Sequence, residues 1–91
     1  MSAFVGTPLE IVLRDCGIVA IATVGVALEV GIEPTVRHAA DLGFIPVVVT
    51  DACGGRDVEA RERSLASLAF AGDAIFTDVR TIGGLLRGVK P

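Results

Sequence analysis

The chain contains no tryptophan and no tyrosine, and it has four phenylalanines, one histidine, two cysteines and a single lysine, Lys90. Each scarcity removes a class of function. With no Trp or Tyr to stack on bases, a net charge of −3 and no basic cluster, the chain lacks the electrostatic footprint of a nucleic-acid-binding protein. Cys16 and Cys53 lie far apart with no CxxC or Cys/His spacing around them, so neither a zinc site nor a disulfide framework is expected. They read as small buried hydrophobes. Cys53, just past the end of an apolar run, is the better candidate for a reactive thiol. No metal or cofactor is implied. The run Ile18 to Val26 is too short to span a membrane, and the opening MSAFVGTPLE has neither the basic start nor the apolar core of a secretion signal. A cytoplasmic location away from membranes is the expectation. Linkers, tandem repeats and low-complexity tracts are lacking as well, so residues 1–91 are expected to form a single domain.

What is abundant is apolar. At 52% hydrophobic and 21% charged residues, disorder is excluded, and a domain of 91 residues carries more apolar surface than it can cover. Some of that surface is expected to meet a partner chain or a second copy of this one.

The apolar residues are grouped into strands and helices. Ile18 to Val26 and Phe44 to Thr50 are β-branched runs that read as buried parallel strands. Between them lies a helix. Pro34 has no N–H and belongs in a first turn, which starts the helix near Val30 to Glu33, and Gly43 ends it. Strand, helix and strand make one right-handed βαβ unit, and ligands of such sheets bind at the carboxyl ends of the strands. Residues 25–35 are therefore the expected site.

Upstream, residues 7–16 read as a helix. Thr7 and Glu10 would form a capping box around Pro8, Leu9, Val12 and Leu13 a buried stripe, and Gly17 the stop. Downstream, Asp51 to Gly55 reads as a turn whose glycine pair permits positive φ. A helix from Arg56 to Ala71 follows, burying Val58, Leu65, Leu68 and Ala69 and wetting Glu59, Arg61, Glu62 and Arg63. Gly72, a short strand Ala74 to Thr77 and a last helix or turn Thr81 to Leu86 complete the chain. The fold class is α/β: a three-layer, Rossmann-like half-fold with about three parallel strands and flanking helices. His38 reads as a surface or interface group beside Arg37. Glu29 and Glu33 read as helix-dipole partners, Glu33 also pairing with Arg37.

GVALEVGIEPTVRHAADLGF followed by VVVTDAC resembles the nucleophile region of the isochorismatase-like cysteine hydrolases, and SAFVGTPLEIVLRDCGI is similar to the segment that precedes it. That family's sheet is six-stranded, and the likeness covers its second half only. The resemblance implies hydrolysis of an amide or vinyl ether of a small molecule. It places Gly31 at the nucleophile position, with binding contacts from Phe4, Val26, Ala27, Leu28, Ile32 and Thr35, and backbone N–H groups between Ala27 and Ile32 to hold an anion or carbonyl oxygen. It also implies a cis peptide at Val26-Ala27. Phe4 reads equally well as a hydrophobic plug. Glycine offers no thiol, and the family's aspartate and lysine have no match, since Lys90 is at the opposite end. The isochorismatases proper also resemble this chain in carrying glycine there, and vinyl-ether hydrolysis needs a proton donor rather than a nucleophile. Three readings follow: half of a hydrolase site completed by a missing half, a non-catalytic relative that binds a small molecule or assembles, and an unrelated α/β fragment. Partner contact is expected along Ile18 to Val26.

Overall fold

The N–H of Ile45 donates to the carbonyl of Val19 at 2.8 Å, and from that bond two strands run parallel. They are β1 (Ala20–Gly25) and β2 (Ile45–Cys53), with Ala20 opposite Ile45 and Thr23 opposite Val48. Strand β3 (Ile75–Thr77) joins the far side of β2, also in parallel, so the order is β1-β2-β3. Pro46 has no N–H, yet it sits in the central strand without loss. Ile45 faces β1, so Pro46 faces the other way, one residue before pairing with β3 begins at Val47 and Ile75. The computed structural model describes residues 2–72 and 74–88.

The helices are α1 (Leu9–Asp15), α2 (Glu33–Asp41), α3 (Val58–Ala71) and α4 (Val79–Arg87), and a wide π-type turn, Leu28–Ile32, runs directly into α2. Helix α2 thus starts at Glu33, within the expected Val30 to Glu33, and the wide turn precedes it. Because the wide turn bonds five residues back, from Ile32 N–H to Ala27 and from Glu33 N–H to Leu28, the chain enters α2 without the N–H that Pro34 lacks.

Two apolar clusters hold the layers together. Leu28, Val36, Val48, Cys53 and Leu68 form one, with Ile32, Leu65 and Ala74 against it. Phe4, Ala39 and Phe44 form the other, with Leu9, Leu13, Ile21 and Leu42 around them. Ile21, Thr23, Pro46 and Val48 share one sheet face by register, so α1, α2 and α3 all lie on that face. Helix α4 packs on β2.

Several expectations need correction. The run Ile18 to Val26, which holds the edge strand β1, is not buried: Val24 in the strand is 56% exposed, and Val19 and Val26 flanking it are 64% and 79% exposed. The capping box does not form. Helix α1 starts at Leu9, and the Thr7 hydroxyl donates instead to the carbonyls of Ala3 and Phe4 at 2.6 and 3.2 Å, while Glu10 pairs with Arg14. Val12 is exposed, leaving Leu9 and Leu13 as the inward stripe. Strand β2 runs through Cys53, so the expected turn is shorter. Helix α3 starts at Val58 behind an Asp57 cap that accepts the Ala60 N–H at 2.7 Å, a signal missed in the sequence. It buries Ser64 and Leu68, while Val58 and Ala69 point outward. Arg61 is not a solvated charge: its guanidinium donates to the carbonyls of Cys53 and Thr50, where the β2 backbone departs from its pairing with β1. Asp78 caps the longer α4 by accepting the Thr81 N–H at 2.7 Å, a bond that holds its carboxyl below the usual value.

Leu68 has no exposed surface and joins α3 to the sheet and the turn, whereas Phe70 is 96% exposed. Leu68→Ala is expected to cost about 2 to 5 kcal/mol in urea denaturation and Phe70→Ser less than about 0.5 kcal/mol.

Candidate active-site turn

The site is built where β1 ends. Gly25, with φ of 128°, turns the chain out of the strand, and the peptide Val26-Ala27 is cis, as the resemblance implied. The turn is then tied to the end of β2. Gly54 N–H donates to the Gly25 carbonyl at 2.9 Å, and Leu28 N–H donates to the Gly54 carbonyl at 2.7 Å. This pairing explains the glycine doublet, though not as expected. Neither Gly54 nor Gly55 has positive φ. A Cβ on Gly54 would lie 2.5 Å from a Val26 methyl, and one on Gly55 would lie 2.8 Å from Glu29 Oε2 and 2.9 Å from Arg61 Cβ. Glycine is required here by close approach.

Glu29 completes the tie. Its Oε1 accepts the Arg56 N–H at 2.8 Å, and its Oε2 is buried with no hydrogen-bond partner among the described residues. The side chain braces the turn against the β2–α3 loop, a role the dipole reading did not foresee. Glu33 does pair with Arg37, at 3.2 Å.

The residues implied by the resemblance are placed unequally. Gly31, Ala27, Ile32 and Thr35 are half-buried along the turn and the start of α2, and Val26 is exposed beside them. Leu28 is fully buried in the core and presents no side chain to a ligand. Phe4 is the plug: it is buried, stacks on Phe44 at 6.0 Å and meets the His38 ring edge-on at 5.3 Å. The backbone donors are fewer than expected. The N–H groups of Val30, Gly31 and Ile32 all converge on the Ala27 carbonyl at 3.0 to 3.3 Å, and that of Leu28 is held by Gly54. Ala27 and Glu29 N–H are not among these bonds. Thr35 Oγ1 accepts the Ala3 N–H at 2.9 Å, and the Ser2 hydroxyl meets His38 Nδ1 at 2.9 Å, so the amino-terminal segment lies along α2. Lys90 lies outside the described residues.

Gly31 differs from the loop glycines. Its φ is not positive, and nothing stands within 4 Å of where its Cβ would be. The fold does not require glycine at this position. Neither thiol substitutes for the absent side chain. Cys16 lies at the opposite end of β1. Cys53 is buried, its Sγ donates to the Thr23 carbonyl at 3.7 Å, and desolvation, with the Asp51 charge adding to it, raises its pKa against the Gly25 backbone bond and the Arg61 charge, which lower it. Among the described residues, no group of three or more His, Cys, Asp or Glu is placed to hold a metal ion, and no helix is long and apolar enough to cross a membrane.

Gly31→Ala is expected to stabilise the chain by about 0.5 to 1 kcal/mol, since an open helical position gains from losing glycine's freedom. Gly55→Ala should destabilise it and loosen the turn. Thermal melts of the two variants, read side by side, check both signs. A thiol reagent should modify Cys16 alone in the native chain and Cys53 only after denaturation. Because the folded-state pKa of Cys53 is raised, its contribution is present below the ordinary thiol value and is lost as pH rises past it. Urea midpoints should fall above that pH in the parent and fall less in Cys53→Ala.

The isochorismatase domain family model matches residues 1–82. The chain is 41% identical over 63 residues to YecD of Escherichia coli O157:H7, described as an uncharacterized isochorismatase family protein, a match covering 69% of this chain and 34% of that protein. An isochorismatase-like hydrolase from Alkaliphilus metalliredigens superposes with a TM-score of 0.86 over 93% of this chain and 46% of its own, at 21% identity, a likeness of fold alone. A pyrazinamidase of Pyrococcus horikoshii, solved in complex with zinc, superposes with a TM-score of 0.80 at 30% identity over 85% of this chain and 42% of its own. This chain spans about a third of the curated relative and less than half of these structures. With the family model matched across residues 1–82, the chain belongs to the isochorismatase family.

Proposed function

We propose that this chain supplies the substrate-orienting turn of a small-molecule hydrolase that works by acid–base chemistry rather than through a covalent thiol. The observation that carries the reading is Gly31, which the resemblance assigns to the nucleophile position: it stands in a helical conformation with open space above it and has no side chain. A thiol route, which the likeness to a pyrazinamidase would suggest, has no nucleophile to use. Hydrolysis of a vinyl ether needs none. A proton adds to the enol carbon, water adds to the resulting oxocarbenium ion, and the hemiketal collapses to a ketone and an alcohol.

Neither carboxylate beside the turn faces the space over Gly31 in this reading: Glu29 holds the Arg56 N–H through Oε1 and its Oε2, unpartnered among the described residues, is buried against Gly55, and Asp51 accepts the Val79 N–H at 2.8 Å. The proton donor in this reading therefore comes from polypeptide outside these residues, while Ala27 and Glu29 N–H and the space over Gly31 orient the substrate. Nothing in the turn itself favours the alternative of a purely assembling relative.

The wild-type chain and Gly31→Cys, each with Cys16→Ser and Cys53→Ser controls, are expected to show no enzyme-like hydrolysis of nicotinamide or simple amides. A thiolate at a helix start still lacks its cooperating acid and cation, each worth about 10² to 10⁴ in rate. Amide NMR spectra recorded with a carboxylated alkyl vinyl ether should shift at Ala27, Glu29 and Gly31. Ordinary amidase rates in either protein, or spectra unchanged by the ligand, would sink the reading.

A further inference from the structure

Of the four phenylalanines, Phe4 and Phe44 are buried and stack on one another, whereas Phe70 is 96% and Phe76 38% exposed. Phe70 belongs to a stripe. Glu59, Glu62, Arg63, Ala66, Ala69 and Phe70 recur along α3 at spacings of three and four, so they share one helical face, and all six are exposed. Ser64 and Leu68, on the opposite side, are the residues that α3 buries, so the stripe looks away from the sheet. Its amino-terminal half is charged and its carboxyl-terminal half is apolar. Glu62 is paired with Arg61 at 2.8 Å, but Arg63 makes no ion pair among the described residues. Arg63 and Phe70 do not meet within the helix. Seven residues put them about 10 Å apart along its axis, beyond the roughly 6 Å over which a guanidinium is attracted to a ring face. Two turns nevertheless bring them back to within about 20° of the same direction, on one flank of the stripe.

We propose that this stripe pairs α3 with α3 of a second copy of the chain, antiparallel across a two-fold axis, each Arg63 lying over the partner's Phe70. The face is complementary to itself. A two-fold axis perpendicular to α3 and midway between Ala66 and Ser67 sets position 63 of one copy opposite position 70 of the other. Because the axis keeps each flank on its own side, the contact forms twice. Small residues at the crossing let the helix axes approach to about 8 Å, and the attraction of cation to ring grows as both leave water. No unlike partner is required, since one face carries both the cation and the ring in the register that matches them. A single helix face is smaller than the about 1,200 Å² of a standard interface, so the dimer is weak, with a dissociation constant on the order of 10⁻⁵ to 10⁻⁴ M. The pairing does not depend on the hydrolase reading, because α3 presents the stripe away from the sheet whose edge carries the turn.

Sedimentation equilibrium of the 91-residue chain from about 10⁻⁶ to 10⁻³ M should show the mass rising from one copy to two. Phe70→Ser and Arg63→Glu should each weaken the dimer at least about tenfold. Both positions are exposed, so the circular dichroism and the melting temperature of the dilute chain should stay as in the parent. The exchanged double variant, Arg63→Phe with Phe70→Arg, keeps every pair across the axis and should associate within about threefold of the parent. Val24→Lys, at the β1 edge, should leave association unchanged. A chain that stays monomeric at the highest concentration, a dimer indifferent to both single variants, or a double exchange that fails to restore pairing would overturn the proposal. So would a dimer lost with Val24→Lys and kept with Phe70→Ser, which would place the contact on β1. Loss in the single variants with recovery in the exchanged one supports it, since damage to the fold alone would not be undone by the second substitution.

Discussion

The two hydrogen bonds that Gly54 makes, one to the carbonyl of Gly25 and one from the N–H of Leu28, are what the rest of the site depends on. Pairing between β1 and β2 is regular only as far as Thr23 and Val48, and the next register point joins Gly25 to Cys53. Strand β2 therefore bulges before it returns to the turn. Arg61 spans the bulge by donating to the carbonyls of Thr50 and Cys53, satisfying acceptors that are costly to leave unpaired. A guanidinium from α3 thus fastens β2 where it bulges, and β2 holds the turn that carries Gly31.

This dependence also explains what was legible in the sequence. Strands, helices and their order follow from apolar runs and from Pro34, Gly17, Gly43 and Gly72, which act locally. The turn could be placed at residues 25–35 because the end of an apolar strand before a helix is a local signal too. What could not be read depends on contacts between distant segments. Arg61 looks identical to Arg63 in a charged run, and only the position of the β2 carbonyls distinguishes them. Gly54 and Gly55 were recognised as necessary for the wrong reason, since a crowded approach and a positive φ leave the same mark in a sequence. The burial of β1 was overestimated because apolar composition records what a strand is suited to, not which neighbours these residues supply.

The donors were overestimated for a related reason. A helix start promises several free N–H groups, but that count assumes an ordinary α-helical first turn. The wide turn ahead of Pro34 instead gathers the N–H groups of Val30, Gly31 and Ile32 onto the single carbonyl of Ala27. The helix start therefore offers fewer free donors than its place in the sequence promises.

The position of the amino-terminal segment follows from spacing along α2. Gly31, Thr35 and His38 stand four and then three residues apart, which puts them on one helical stripe. Thr35 and His38 hold Ala3 and Ser2, while Phe4 enters the cluster with Ala39 and Phe44. The stripe that fixes this segment therefore begins at the open glycine. The turn takes its shape from contacts within the described residues: Gly54 on one side, Glu29 through Arg56 on another, and Leu28 in the core beneath.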